Sequence, residues 1–362
     1  MSVQSVTTSG RSNYKDILDA GWEAHLAPRQ PNAPTVISTF AGCGGSSLGY
    51  SMAGFRELLA VEWDDNAAAT FRQNFPDVPV YHGDIAKLSV EECLKRTGIY
   101  PGQLDVLDGS PPCQGFSTSG KRMMDDPRNG LFREYVRLLR GLRPKVFVME
   151  NVSGMVKGKM KLIFAEILRE LKQSGYRVSS RLLNAMYFHV PQSRERMIFI
   201  GIRDDLGIKP SHPRAECNGI TPREAFAEVQ EADRRLLPGW LIEAAKYIDA
   251  GNYNCQSIMK AFLRTKGNTS GSQNTKMLSW GRVSCTLVKL EISCTGIIHP
   301  DGQRYLDSSE IKRIGAFPDQ FLFLGNRKDK IARIGNSVPP LFMRAIARHI
   351  REILTGQKAQ RG

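Results

Sequence analysis

From Thr35 to Arg203 the chain alternates short β-rich runs with amphipathic helical stretches, and that rhythm limits its fold more than any other feature. TVISTF (35–40), ELLAVEW (57–63), VPVYHGDI (78–85), LDVLDGS (104–110), KVFVMENV (145–152), YRVSSRLLNA (176–185) and RMIFIGIR (196–203) read as strands. Between them, DNAAATFRQNF opens on an Asp cap, while LFREYVRLLRGL and MKLIFAEILREL each carry an apolar stripe at helical spacing. Strands this apolar are buried on both faces, and the intervening helices supply the cover. The expected fold is α/β: a Rossmann-like, doubly wound, mostly parallel sheet.

From about Asp205 the rhythm stops. Residues 205–310 are irregular and rich in Gly, Asn, Ser and Thr, with helical stretches only at TPREAFAEVQ and WLIEAAKYID. They are expected to form a second, smaller, irregular domain. The first domain then comprises 34–204 plus 311–356, because SSEIKRIGAF and the apolar stripe Leu341, Ile346, Ile350 and Ile353 bring the chain back to the sheet. Residues 1–33 are expected to be a flexible or loosely docked extension, and 357–362 a disordered tail.

A net charge of +14 suits a polyanionic partner. Residues 251–290 sharpen this, with six Lys or Arg and no Asp or Glu. No apolar run reaches membrane-spanning length and the first residues lack the apolar core of a signal peptide, so a cytoplasmic location is expected. The seven cysteines include no C-x-x-C pair, which argues against structural zinc and a disulfide framework. No G-x-x-x-x-G-K-[ST] occurs, which disfavours nucleoside triphosphate binding.

Chemistry-bearing residues gather at the ends of the strands. FAGCGGSSLG (40–49) is a glycine-rich turn opening a helix, where backbone approaches a ligand closely. Glu62 closes the second strand about 20 residues on, as a ribose-binding acid does, followed by Trp63; Asp84 closes the third. Together they suggest an adenosine pocket, although each alone reads as a solvated loop residue. GSPPCQGFS puts Cys113 behind two prolines at the end of an apolar strand. An isolated cysteine there is ordinarily inert, but this is also where an α/β enzyme places a nucleophile. Glu150 ends another apolar strand, where a carboxylate is costly without a partner or a task. QSRER points Arg194 and Arg196 to one side of an extended segment.

In this order (FAGCGGSSLG, EWD, GDI, PPCQGFS, ENV, QSRER, IGAFPDQF, GNSVPP) the chain resembles the DNA (cytosine-5) methyltransferase family from about Thr35 to Ile353. Ser110 and Gly115 depart from the commonest spellings, as does IGAFPD, and none of these changes a catalytic atom. The resemblance implies S-adenosylmethionine as methyl donor and S-adenosylhomocysteine as product. It implies Cys113 as nucleophile toward cytosine C6, Glu150 as the carboxyl that holds the base, and Arg194 and Arg196 as supporting cations. Phe40, Gly42 and Gly44 then lie along the methionine and ribose, with Pro112 also at the cofactor. Glu62 binds ribose, Trp63 and Ile85 flank adenine, Asp84 holds its amino group, and Asn336 and Ser337 complete the methionine site.

The implied partner is double-stranded DNA, with a cognate restriction endonuclease acting on the same site and a monomeric enzyme as further expectations. Candidate DNA contacts are Gln114, Ser117, Lys121, Arg122 and Arg128 in the loop after Cys113. In the recognition region they are Arg264, Lys266, Asn268, Thr269, Gln273 and Arg282. Two rival readings are a tRNA cytosine-5 methyltransferase, whose Cys-Phe-Thr tripeptide is absent from the recognition region, and an inactive DNA-binding module.

Overall fold

Strand side chains alternate between two apolar layers, and this places the sheet at the centre of the molecule. The computed structural model describes residues 13–112, 130–156, 160–253, 255–272, 275–288 and 296–356. Its sheet contains β1 (Thr35–Thr39), β2 (Arg56–Glu62), β3 (Val80–His82), β4 (Val106–Gly109), β5 (Val146–Val152), β6 (Tyr176–Asn184) and β7 (Glu195–Arg203). The spatial order is β3-β2-β1-β4-β5-β7-β6. The first five strands in this order are parallel, and β7 runs antiparallel to both its neighbours. This is the expected doubly wound, mostly parallel sheet. Val36, Val106, Val146, Val148 and Ile200 face one apolar cluster, while Ile37, Leu107, Phe147, Met149 and Phe199 face the other.

Helices cover both faces. They are α1 (Tyr14–Leu26), α2 (Gly45–Met52), α3 (Asp65–Asn74), α4 (Val90–Thr97), α5 (Gly130–Leu142) and α6 (Met160–Gln173). After the sheet come α7 (Pro222–Ala225), α8 (Gly239–Ala245), α9 (Cys255–Lys266), α10 (Ser308–Ile314), α11 (Arg327–Asn336) and α12 (Pro340–Thr355). On one face α2 packs tightly against α12. A Cβ at Gly49 would stand 2.6 Å from both the Met343 Cβ and the Pro340 carbonyl, so only glycine permits this approach. On the other face Cys93, Leu138, Ile163 and Ile167 bring α4, α5 and α6 onto the sheet.

Two expectations need correction. The N-terminal segment is not loosely docked over Tyr14–Leu26, where α1 forms. Asn13 and Asp16 make a reciprocal capping box, Tyr14 and Leu18 are buried, and the Tyr14 hydroxyl donates to the Arg313 carbonyl at 2.8 Å. The TPREAFAEVQ stretch is helical only over Pro222–Ala225, whereas the unanticipated α9 occupies Cys255–Lys266.

Leu237, Leu241, Ala244, Ile258, Phe262, Met277 and Ile298 form a third apolar cluster, apart from both sheet faces. This smaller unit carries a two-stranded parallel pair, β8 (Lys276–Met277) and β9 (Ile297–Ile298). A buried ionic brace ties it to α10. Arg304 donates both terminal nitrogens to Glu310, at 2.8 and 2.7 Å, and Asp307 caps α10 while accepting the Ala232 and Asp233 amides. Among the described residues, no helix is long and apolar enough to cross a membrane.

Strand order reverses between β1 and β4, since connections from β1 run one way and those from β4 the other. In such sheets the ligand crevice lies at the carboxyl ends of these strands.

Candidate active site

A cavity of about 730 Å³ opens at that point. Its walls come from the turn after β1, the end of β2, the segment Ser110–Pro112 after β4, the end of β5, Arg194, Arg196, and α11 with the following Gly335–Val338. The β1 turn is sharp. Phe40 has φ +55, unusual for a bulky residue, and Gly42 has φ +58 with open space where a Cβ would stand.

Glu62 organises one end of the cavity. Its carboxylate accepts the Gly42 amide at 2.7 Å, the Trp63 amide at 2.9 Å and the Asp64 amide at 2.8 Å. The neighbouring Trp63 indole is 76 % exposed. Asp64 caps α3 through the Ala67 amide and accepts two nitrogens of Arg333, at 2.8 and 3.3 Å. This pair joins α11 to the residues that carry Trp63.

Cations and a carboxylate share the other end. Arg196 Nε meets Glu150 Oε1 at 2.7 Å. Arg194 is buried and donates to the Leu287 and Gly335 carbonyls, each at 3.1 Å, while its Nε has no partner among the described residues. Burial pushes the Arg194 guanidinium down to about 9; nearby Arg196 pushes the same way and Glu150 opposes. Asn151 donates to the Pro111 carbonyl at 3.1 Å, tying the end of β5 to the double-proline segment that leads to Cys113.

Beneath this floor, Asp108 on β4 accepts from Ser46 Oγ at 2.6 Å and from the Tyr50 hydroxyl at 3.3 Å. Nearby, Glu57 accepts from Ser47 Oγ at 2.9 Å, and its second oxygen is buried without a hydrogen-bond partner among the described residues.

The structure therefore brings Phe40, Gly42, Glu62, Trp63, Pro112, Glu150, Arg194, Arg196, Asn336 and Ser337 around one cavity. Gly44, Asp84 and Ile85 do not line it. Gly44, at φ +100, turns the chain into α2 against Phe71 and Phe75. Asp84 is exposed and caps the short helix Ile85–Lys87, and Ile85 is buried in the apolar cluster on the α5 face. Cys113, Gln114, Ser117, Lys121, Arg122, Arg128 and Gln273 lie outside the described residues. In the smaller unit, the Arg264 guanidinium stacks 4.0 Å over Tyr247 and Lys266 Nζ lies 5.0 Å over Trp240. Asn268 accepts the Ser270 amide, and Arg282 is exposed.

The sequence reading missed Ser46, Asp64, Asn151 and the α11 face that carries Lys328 and Arg333, all of which line the cavity. An Asn326–Asp329 capping box marks the start of α11 and is the signal that would have found it.

The lining fits a nucleoside carrying an amino acid. The three amides on Glu62 leave about one acceptor position of its four for a hydroxyl. Trp63 offers an uncovered ring face, and the N-terminus of α2, with Gly45 and Ser46 on the wall, favours a carboxylate.

Comparison with known proteins agrees with this geometry. The family model described as C-5 cytosine-specific DNA methylase matches residues 34–352. The chain is 34 % identical to Type II methyltransferase M1.HphI of Haemophilus parahaemolyticus, covering 89 % of this chain and 88 % of that protein. It is 31 % identical to Type II methyltransferase M.Eco47II of Escherichia coli, covering 89 % and 80 %. Among solved structures, a prophage-encoded E. coli protein described as a DNA modification methyltransferase superposes with a TM-score of 0.70 at 24 % identity, over 89 % of this chain and 100 % of that one. The S. pombe Dnmt2 methyltransferase gives 0.62 at 19 % identity, over 89 % and 99 %. At these identities the solved structures show a shared fold.

Proposed function

We propose, from the premise that this chain belongs to the C-5 cytosine-specific DNA methylase family, that its cavity presents an extruded cytosine to Cys113, Glu150, Arg194 and Arg196. The protein is a DNA (cytosine-5-)-methyltransferase, and its methyl donor is S-adenosylmethionine. When bound, the donor supplies an electrophilic methyl group on a sulfonium.

A cytosine inside a duplex cannot enter such a cavity, so the base leaves the stack first. In this reading the Cys113 thiolate adds to C6 with its own electron pair. Ring electrons shift toward N3, where Glu150 delivers a proton, and C5 becomes nucleophilic. Glu150 also accepts from the exocyclic amine. After C5 is methylated, its proton passes to water, the thiolate is expelled to restore the C5–C6 double bond, and the N3 proton returns to Glu150. Arg194 favours the thiolate form of Cys113, because nearby positive charge lowers a thiol's pKa. Arg196 releases Glu150 Oε1 to the base.

Phe40, Gly42, Pro112, Asn336 and Ser337 hold the methionine side of the donor, Glu62 its ribose and Trp63 its adenine, while Gly44 acts by setting the turn into α2 and Asp84 and Ile85 by shaping the loop after β3. Gln114, Ser117, Lys121, Arg122 and Arg128 contact DNA from the loop after Cys113, and Arg264, Lys266, Asn268, Gln273 and Arg282 from the smaller unit. As relatives are named Type II methyltransferases, a restriction–modification role follows. A cognate endonuclease recognising the same site and a monomeric enzyme complete the reading.

One observation carries it. The Asn151–Pro111 hydrogen bond and the Glu150–Arg196 pair set the strand end leading to Cys113 and the Glu150 carboxyl on the same cavity as Glu62 and Trp63, which supports the reading. The test is methyl transfer from labelled S-adenosylmethionine to duplex DNA by wild type and by Cys113→Ser. Transfer to duplex DNA that collapses in the variant supports the reading. Transfer to tRNA but not duplex DNA overturns the substrate, and wild-type protein that modifies neither leaves a DNA-binding module.

A further inference from the structure

Behind Glu150 stands a second carboxyl that the chemistry above does not use. Asp108, in the strand that leads to Cys113, is 4 % exposed. The β4–β5 register sets Asp108 opposite Val148, and Glu150 occupies the next same-face position along β5. That face is the one α2 covers: Val106 and Val148 belong to its apolar cluster, and Asp108 is held by Ser46 and Tyr50 of α2. Asp108 and Glu150 are thus diagonal neighbours on adjacent parallel strands, a backbone spacing of roughly 8 Å.

We propose that Asp108 is a positioning residue for methyl transfer, whose carboxylate opposes negative charge on Glu150 and so keeps a proton available there for cytosine N3. This rests on the assignment of Glu150 as the acid. Two carboxyls that share a site disfavour each other's ionisation. Opposing this, Arg196 from β7 pairs with Glu150 at 2.7 Å, and Arg194 lines the same cavity. Lys328, Asp329 and Arg333 reach the cavity from α11. Asp108 is the negative charge that offsets the two arginines from the β4 side. Its own surroundings are the Ser46 and Tyr50 hydroxyls of α2, Tyr135 of α5 and Glu57 of β2. Burial pushes the Asp108 carboxyl up to about 7, so it carries its charge in the alkaline range.

The test is the pH profile of kcat for full-length wild type, Asp108→Asn and Glu150→Gln on duplex DNA at saturating S-adenosylmethionine. Asparagine keeps the shape and the acceptor for Ser46 but removes the charge. The expected result is an alkaline limb displaced to lower pH by about one to two units, as a charge roughly 8 Å away at an effective dielectric of about 20 requires. At pH 8.5 the variant then turns over at least 10-fold more slowly than wild type, while at pH 6.5 the two rates agree within about 3-fold. An unmoved limb overturns the proposal, and so does an equal loss at every pH, which would mark a packing role. Should Asp108→Asn fail to fold, Tyr50→Phe removes one donor and favours the uncharged Asp108, so its limb must move the same way. A wild-type alkaline limb that persists unchanged in Glu150→Gln would instead refute Glu150 as the acid, which separates the two failures.

Discussion

Replacing Glu57 by glutamine should make the protein more stable above pH 8 and leave it no more stable near pH 5. Glu57 accepts from Ser47 Oγ beside Ser38, and among the described residues its second oxygen is buried without a hydrogen-bond partner. Desolvation pushes the carboxyl from its ordinary 4.5 up to about 8. The unfolded chain therefore releases this proton above pH 4.5, while the folded chain keeps it until about pH 8. Across that window the folded state holds the extra proton, so rising pH favours unfolding, and the loss levels off above pH 8. At about 1.4 kcal/mol per pH unit, the gap corresponds to a loss of up to roughly 5 kcal/mol. That is comparable with the whole stability of many domains, about 5–15 kcal/mol. A glutamine side chain at this position has no proton to lose, and its amide can donate toward Ser38. Urea unfolding of wild type and Glu57→Gln at pH 5.0, 7.0 and 8.5 reads the difference, with all other titrating groups common to both. Stability curves that stay parallel from pH 5 to 8.5 would refute the reasoning.

Two further substitutions probe separate parts of the molecule. Arg304→Leu leaves the buried Glu310 carboxylate without its bidentate partner and should cost about 3–5 kcal/mol in equilibrium unfolding; a cost under about 1 kcal/mol would show that the brace between α10 and the smaller unit contributes little. Trp63→Ala removes an exposed ring, so unfolding should be nearly unchanged while calorimetry shows S-adenosylmethionine binding roughly 10-fold weaker; unchanged affinity would remove Trp63 from the nucleoside site.

The strands were legible because each is an apolar run long enough to cross a covered sheet, and their alternation was already visible in Val36 and Ile37 or Val146 and Phe147. Helices with few buried residues were not. In α1 only Tyr14, Leu18 and Gly21 are buried, and in α11 only Ile331, Ile334 and Gly335, too few for a clear stripe. Both open on an Asn-x-x-Asp capping box, a local signal that survives where periodicity fails. At the site, Glu62, Glu150 and the two arginines stood out as charges at the ends of apolar strands. Asp64 and Arg333 did not, because their partnership spans most of the chain and exists only once α11 reaches α3. Asp84 shows a similar limit: a strand-end carboxylate looks the same in sequence whether it faces a ligand or caps a turn, and the cap on Ile85–Lys87 emerges only in the fold.

The cavity is walled by both the first strand and the returning segment Gly335–Val338, and that sets a timetable. A ribosome making roughly 5–20 residues each second produces Cys113 about 10–45 seconds before Asn336. Through that interval β4 and the segment Ser110–Pro112 exist while the wall formed by Gly335–Val338 does not. The cavity is therefore incomplete in every nascent chain until α11 and the segment after it have closed onto the sheet.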